Sequence, residues 1–83
     1  MSKVQIGIRL KELRAGTGLS QEAFANQVGI ARSYYAECET GKRNISYEKL
    51  ERIIAGFNLT PREFFDSPTF DEIIYTATKL DKN

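Results

Sequence analysis

The sequence predicts an all-α domain, and two observations favour this fold class. Residues that cap helix starts and glycines that end helices recur along the 83 residues. Runs of alternating apolar and polar residues, which strands require, are too short to build a sheet. The length allows one small domain with a single helical core, which is too small for a deep, multi-lobed active site.

The first three helices follow from their caps. Ser2 starts the first helix with a capping-box pattern, and an apolar stripe runs along it: Ile6, Leu10 and Leu13. Ser20 caps the second helix, which Gly29 ends after about two turns. The third helix covers about residues 31–40 and stops at Gly41, before a polar connector.

The remaining helices have equally local signals. Ser46 caps a fourth helix with a predicted inward stripe of Tyr47, Leu50, Ile53, Ile54 and Phe57. The sequence TPRE at 60–63 combines a capping box with proline at the first helical position, so a fifth helix begins there and ends at Phe65. Ser67 and Pro68 break it. A further capping box at 69–72 opens a last helix with one apolar face: Phe70, Ile73, Ile74, Ala77 and Leu80.

Composition excludes several kinds of site. The chain has no histidine and one cysteine, Cys38, so neither an intramolecular disulfide nor a zinc site of several Cys and His ligands can form. No phosphate-binding glycine loop is present, and we expect no catalytic site, metal, cofactor or small-molecule ligand. A redox role for Cys38 is disfavoured by its core position. The chain lacks an apolar membrane span or signal core, which predicts a cytoplasmic protein.

Charge is unevenly distributed along the chain. Residues 1–46 contain seven basic and four acidic residues, a net charge of +3, whereas residues 47–83 have a net charge of −2. A basic front half suits an anionic partner, although a solvated surface without a partner explains the same imbalance.

Residues 21–39 have the pattern of a helix-turn-helix, since two short helices joined by so few residues must cross steeply. Ala25 is small where the following helix crosses, and Gly29 can adopt the positive φ of a three-residue turn. The chain resembles the Cro/CI-type, or Xre, helix-turn-helix family of bacterial and phage DNA-binding regulators. Four landmarks in register support the resemblance: IGIRL at 6–10, GLSQE at 18–22, ETGK at 39–42 and LTPREFF at 59–65.

The stretches RSY at 32–34 and GKRNIS at 41–46 are most similar to the controller proteins of restriction-modification systems, which are small homodimers. The resemblance implies a compact five-helix, lambda-repressor-like DNA-binding domain at residues 1–66. It also implies an additional short C-terminal helix at 67–83, for dimerisation or as a lid. The expected partners are double-stranded DNA and a second copy of the chain.

The third helix is the predicted recognition helix. Because Tyr35 and Cys38 face the core, the residues expected to read bases lie on the other side: Arg32, Ser33, Tyr34, Ala36 and Glu37. Arg32 matches guanine O6 and N7, and Glu37 can accept a hydrogen bond from cytosine N4. Phosphate contacts are expected from two groups flanking this helix: Ser20 and Gln21 before it, and Lys42, Arg43 and Asn44 after it. A solvated helix face and an ordinary polar loop are the alternatives.

The resemblance also implies a partly buried ion pair between Arg14 and Glu39, which would fix how the recognition helix is presented. Two positions depart from the family pattern. Ala31 stands where a capping Ser, Thr or Asp is usual, and Tyr35 replaces the usual Ile or Val, so its hydroxyl needs a partner.

One recognition helix contacts only a few base pairs, which favours a dimer. The predicted interface is apolar: Phe57, Phe64, Phe65, Phe70, Ile73 and Ile74. Alternatively, or in addition, the last helix folds back as a lid over Val4 and Ile8. The predicted function is that of a non-enzymatic transcriptional regulator that binds an inverted-repeat operator as a homodimer and controls restriction-modification genes. The alternatives are a phage-type repressor and an antitoxin that also binds a protein partner.

Overall fold

The computed structural model describes residues 2–71, which form five α-helices and a short 3-10 turn and contain no strand. The elements are α1 (Lys3–Thr17), α2 (Gln21–Val28), α3 (Arg32–Thr40), α4 (Tyr47–Gly56), α5 (Pro61–Phe65) and the turn Pro68–Phe70. The predicted all-α fold class is confirmed over this range. No helix within it is long and apolar enough to cross a membrane.

Most helix starts are fixed by a hydroxyl side chain that accepts a backbone N–H. These caps are Ser2, Ser20, Ser46 and Thr60, as the sequence predicts. At α3 the flanking Ala31 provides no side-chain bond, and a missing cap of this kind costs about 1 kcal/mol. The capping box at Thr60 is complete. At Ser2 the Gln5 Oε1 accepts from the Ser2 hydroxyl (2.9 Å) instead of from the Ser2 N–H, and the Gln5 amide donates to the Thr69 carbonyl (3.0 Å).

A single core joins the helices and the turn. It consists of Ile6, Leu10, Phe24, Ala25, Val28, Ile30, Tyr35, Cys38, Leu50, Ile53, Ile54, Phe64 and Phe70. Phe24 lies near its middle, with ring centroids 5.3 Å from Tyr35 and 4.3 Å from Phe57. Because α3 contributes Tyr35 and Cys38 to this core, its opposite side is left facing solvent.

Helix α1 and the end of α3 pack closely at Gly7. A Cβ atom at this position would collide with the carbonyl oxygens of Cys38 and Glu39. Only glycine therefore lets the backbone of α3 come this near to α1. This contact fixes the position of the last turn of α3 against a 15-residue helix.

The structure corrects three predictions about apolar side chains. The sequence pattern puts Tyr47 on the inward stripe of α4, but Tyr47 is the first residue of that helix and is 69% exposed. Phe64 and Phe70, which the sequence assigns to a dimer interface, are 0% and 7% exposed and belong to the protomer's own core. They form an aromatic cluster with Phe65, with ring centroids 4.9 to 6.1 Å apart.

The region after α5 also differs from the sequence prediction. Ser67 caps a 3-10 turn over Pro68–Phe70, so Thr69 lies inside this turn instead of capping a helix. The apolar face predicted for the last helix at Ile73, Ile74, Ala77 and Leu80 lies outside the described residues.

Candidate nucleic-acid interface

The connection between α2 and α3 is a three-residue turn at 29–31. Gly29 has a φ of +71°, which glycine adopts without steric cost, and its N–H donates to the Asn26 carbonyl at 3.2 Å. The N–H of Ile30 donates to the Ala25 carbonyl at 2.9 Å, and the Ile30 side chain is buried. Backbone hydrogen bonds and one buried side chain thus fix the orientation of α3 relative to α2.

Helix α3 presents a largely polar face to solvent. This face carries four of the five residues predicted to read bases: Arg32, Ser33, Ala36 and Glu37. Arg32 and Ser33 are exposed in the first turn, and Arg32 forms no ion pair with any residue between 2 and 71. An uncommitted guanidinium therefore lies at the N-terminal end of the face.

An open, polar depression of about 530 Å³ lies beside this guanidinium. It is lined by Arg14, Ser20, Gln21, Glu22 and Arg32. The depression brings the predicted phosphate contacts at the start of α2 next to the first predicted base contact on α3. Backbone N–H groups and the positive end of the helix dipole at the start of α2 favour an anion here, whereas Glu22 opposes one.

A buried hydrogen-bond network underlies the depression. Arg14 donates from Nε and Nη2 to the two Glu39 carboxylate oxygens, at 2.6 and 3.2 Å, and from Nη1 to the Leu19 carbonyl at 2.8 Å. The Gln21 amide donates to the same carboxylate at 2.9 Å. Three helices are thereby joined at one carboxylate, and each of the three guanidinium nitrogens of Arg14 donates one hydrogen bond within the protein.

The network keeps Glu39 ionised although its side chain is nearly inaccessible. Burial alone would raise the pKa of Glu39, but hydrogen bonds from Arg14 and Gln21 outweigh it and hold this pKa below its usual value. The hydrogen bond to Glu39 in turn raises the pKa of Arg14. The Tyr35 hydroxyl is buried with no well-formed hydrogen bond to the described residues, and burial together with the nearby Glu39 raises its pKa.

The loop after α3 folds back onto the helix. Gly41 has a φ of +77°, and the N–H of Lys42 donates to the Glu37 carbonyl at 3.0 Å. This bonding pattern is a Schellman motif, which reverses the chain at a helix end. Lys42, Arg43 and Asn44, the second predicted group of phosphate contacts, are all exposed. The loop therefore lies beside the C-terminal part of the polar face.

Arg43, Glu37 and Tyr34 form one cluster at this end. Arg43 donates from Nε to Glu37 Oε1 at 2.8 Å, and its Nη2 lies 2.7 Å from the same oxygen. Its guanidinium carbon lies 4.6 Å from the centroid of the Tyr34 ring, and the Lys49 ammonium lies 4.3 Å from that centroid. The Tyr34 hydroxyl accepts from the Ser46 N–H at 3.4 Å. Tyr34 is thus half-buried against the loop and α4. Ala36 and Glu37 are half-buried as well, whereas Arg32 and Ser33 are exposed.

The sequence does not reveal three of these side-chain contacts: Gln21 with Glu39, Arg43 with Glu37, and Arg43 with Tyr34. Gly41 signals the end of α3, but only the left-handed turn that follows brings residue 43 back to residue 37. One sequence signal for the contact between residues 37 and 43 is available. It is an acidic residue in the last turn of a helix, followed by a glycine that ends the helix and then by a basic residue.

Cys38 has the features of a structural residue. Its side chain is 1% exposed, and burial raises the pKa of the thiol to about 11. A thiol of this kind carries little thiolate at neutral pH and is a poor nucleophile. Within the described range, no three Cys, Asp or Glu side chains are grouped as a metal site would require.

The residues predicted to form a dimer interface differ in burial. Phe57 is half-buried and stacked on Phe24, and Phe65 is half-buried against Phe64 and Phe70. Ile73 and Ile74 lie outside the described residues. On the outer face of α1, the side chains of Val4 and Ile8 are 52% and 49% exposed.

Comparison with known proteins gives matches over most of this chain. A protein-family model described as a helix-turn-helix domain matches residues 5–64. The control protein C.MunI from Mycoplasma sp is 48% identical over 64 residues, which are 76% of this chain and 86% of that protein. The control protein C.BamHI from Bacillus amyloliquefaciens is 26% identical over 68 residues, or 81% of this chain and 84% of that protein.

Solved structures of controller proteins also match this chain. The restriction-modification controller protein C.AhdI from Aeromonas hydrophila superposes with a TM-score of 0.72 at 41% identity, covering 76% of this chain and 96% of that one. The controller protein C.Esp1396I, solved as a tetramer in complex with its natural 35 base-pair operator, superposes with a TM-score of 0.75 at 26% identity. That match covers 87% of this chain and 93% of the other.

Proposed function

We propose that this chain, which belongs to the helix-turn-helix family of restriction-modification controller proteins, is a sequence-specific DNA-binding regulator of restriction-modification genes. Membership of this family places the chain among Xre-type transcriptional controllers and not among enzymes.

The observation that carries the proposal is the uncommitted Arg32 at the head of the solvent-facing side of α3. Its neighbour across the depression is the start of α2. We assign α3 to the major groove, with the Arg32 guanidinium donating to guanine O6 and N7 and Ser33 beside it. Three of the five N–H groups of Arg14 donate within the protein, whereas Arg32 forms no ion pair within residues 2–71, so we assign the base contact at this end to Arg32.

Two groups of residues flank the recognition helix, and we assign them to contacts with the DNA backbone. Ser20 and Gln21 lie at the start of α2, where one amide hydrogen of Gln21 is used by Glu39 and the other can donate to a phosphate oxygen. Lys42, Arg43 and Asn44 lie in the loop at the far end of α3. Contacts on both sides would set the register of α3 in the groove.

We also propose that the chain binds an inverted-repeat operator as a homodimer. Two half-sites about 34 Å apart would place both recognition helices on one side of the duplex. The relative C.Esp1396I assembles as a tetramer on its operator, which supports an oligomeric form here. Of the predicted interface residues, Phe57 and Phe65 are half-buried, whereas Ile73 and Ile74 lie outside the described residues.

The test is selection of duplex DNA from a random library, followed by binding of the selected sequence at two salt concentrations. We expect a palindrome with half-sites about one helical turn apart, bound with a steep salt dependence. Recovery of no common sequence, with binding that vanishes at physiological salt, would contradict the proposal and favour a protein partner.

Arg32→Ala tests the observation that carries the proposal. We expect a loss of about 10- to 100-fold on the selected operator and a relaxed preference at one base pair in each half-site, because a bidentate contact to guanine is lost. Arg62→Ala, which removes an exposed arginine from α5, is the matched control and should change neither. A uniform loss on all sequences would assign Arg32 to the backbone instead.

A further inference from the structure

The Glu37 carboxylate is only half used within the protein. Both contacts from Arg43 go to Oε1, at 2.8 Å from Nε and 2.7 Å from Nη2. Within residues 2–71, Oε2 has no hydrogen-bond partner, and 43% of the Glu37 side chain is exposed. A carboxylate oxygen with free lone pairs therefore lies on the face of α3 that we assign to the groove.

Arg43 is held in place independently of DNA. The Schellman motif at Gly41 returns the loop to the helix, and the Tyr34 ring lies 4.6 Å from the guanidinium carbon. The Tyr34 ring is in turn tied to the Ser46 N–H by its hydroxyl. The loop geometry, the aromatic ring and the carboxylate all favour one position of the guanidinium, so the pair is pre-organised before any binding event.

Electrostatics explains why such a pair belongs at this position. An unpaired carboxylate in the major groove is repelled by the phosphates on both sides of it. A guanidinium bonded to one oxygen offsets that charge and leaves the other oxygen able to accept. The uncommitted N–H groups of Arg43 remain available for a phosphate.

We propose that Glu37 and Arg43 act as one specificity-determining unit: Glu37 Oε2 accepts a hydrogen bond from the exocyclic amino group of a base while Arg43 neutralises the carboxylate. The amino group is that of cytosine N4 or adenine N6, since both are major-groove donors. This inference rests on the proposed function, because it requires α3 to lie in the groove. Arg43 thereby has a second role besides contacting phosphate. It offsets the negative charge of Glu37 on the face of α3 that we assign to the groove.

A double-mutant cycle tests the proposal. Glu37→Ala, Arg43→Ala and the double variant are titrated by fluorescence anisotropy against the selected operator and against its single base-pair variants. We expect Arg43→Ala to weaken operator binding about 50-fold in the native background, where it exposes the Glu37 charge, and only about 5-fold in the Glu37→Ala background. Additive losses, equal in both backgrounds, would overturn the proposal.

Base discrimination provides the second readout. Glu37→Ala should lower discrimination from about 10-fold to about 2-fold at one base pair in each half-site, and the base preferred there by the native protein identifies cytosine or adenine. If Glu37→Ala instead tightens binding to every sequence equally, Glu37 only restrains Arg43 and the proposal is wrong. Both side chains are about half exposed, so the variants are expected to fold, which circular dichroism checks.

Glu12→Ala is the matched control. Glu12 also forms an exposed ion pair, with Arg9 at 2.9 Å, but it lies on α1. Its removal changes the net charge by the same amount and should alter operator binding less than 2-fold. A native protein that selects no common sequence would refute the proposed function itself, whereas sequence-specific binding with an additive cycle would refute only the role of the pair.

Discussion

Glu39 is the residue on which the geometry of the candidate interface depends most directly. It lies one residue before the end of α3, is 7% exposed, and accepts from Arg14 of α1 and Gln21 of α2. Ion pairs this deeply buried add little net stability compared with an apolar packing, but losing one partner is costly. The network therefore serves mainly to hold α3 in a fixed orientation.

The lowered pKa of Glu39 predicts a pH-dependent effect of Glu39→Gln. Because its pKa in the folded state lies below the unfolded value of about 4.3, the ionised carboxylate stabilises the fold above that pH, and this contribution is lost as pH falls through the folded pKa. At pH 7 we expect the variant to lose about 2 kcal/mol of unfolding free energy.

Urea unfolding of both proteins at pH 7, 5 and 3 measures this difference, which should shrink towards zero as the native carboxylate becomes protonated. Glu12→Gln is the control, since an exposed ion pair should contribute less than about 1 kcal/mol at any of these pH values. A difference at pH 3 as large as that at pH 7 would mean that packing, and not charge, explains the loss.

Individual side-chain contacts mark the limit of prediction from this sequence. The pairing of Arg14 with Glu39 follows from resemblance to a family, but the second partner of that carboxylate, Gln21, does not. A long side chain has many rotamers, and which one is populated depends on neighbours that are remote in sequence. Arg43 and Glu37 show the same limit, since their contact arises from the path of the loop.

At the scale of elements, helix boundaries were predictable because their signals are local. The capping box at Thr60 and Glu63 and the glycine that ends α2 act within a few residues of sequence. Whether an apolar face packs into the protomer's core or against a second copy depends on the tertiary arrangement, which local sequence signals do not give. Phe64 is as apolar as an interface residue must be, yet α5 is placed so that its ring enters the core.

The contact between α1 and α3 predicts opposite effects of two glycine substitutions in one helix. Gly7→Ala should cost about 2 to 4 kcal/mol, because the new methyl group meets backbone carbonyl oxygens that cannot move without shifting α3. Gly16→Ala, with no neighbouring atom within 4 Å, should instead stabilise the protein by up to about 1 kcal/mol through helix propensity. Thermal and urea unfolding measure the stability of the two variants. Unfolding midpoints that shift in the same direction for both variants would contradict this packing.

The uncapped start of α3 predicts a stabilising substitution. Ala31 has φ −59° and ψ 137°, an extended conformation from which a serine hydroxyl can reach the first turn of the helix. We expect Ala31→Ser to raise the unfolding free energy by about 0.5 to 1 kcal/mol, and Ser46→Ala, which removes an existing cap, to lower it by a similar amount. No gain from Ala31→Ser would show that the start of α3 is already satisfied in another way.

At the scale of the whole molecule, the proposed homodimer raises the question of which surface joins two copies. Phe64 and Phe70 are buried within one protomer, so they can be removed from the set of interface candidates. The candidates that remain are Phe57 and Phe65, which are half-buried, and Ile73 and Ile74, which lie outside the described range. The outer face of α1, with Val4 and Ile8, is the competing surface.

Two double variants distinguish these surfaces. Replacing Ile73 and Ile74 by Asp should give monomers by sedimentation equilibrium, and circular dichroism checks that the helices between residues 3 and 65 remain folded. Replacing Val4 and Ile8 by Asp introduces the same charge into α1 and should leave dimers intact. Since a monomer offers one recognition helix to a two-part operator, the variant at Ile73 and Ile74 should also lose operator affinity by about 100-fold or more. Dimers that survive the substitutions at Ile73 and Ile74 but dissociate on substitution in α1 would move the interface to the outer face of α1.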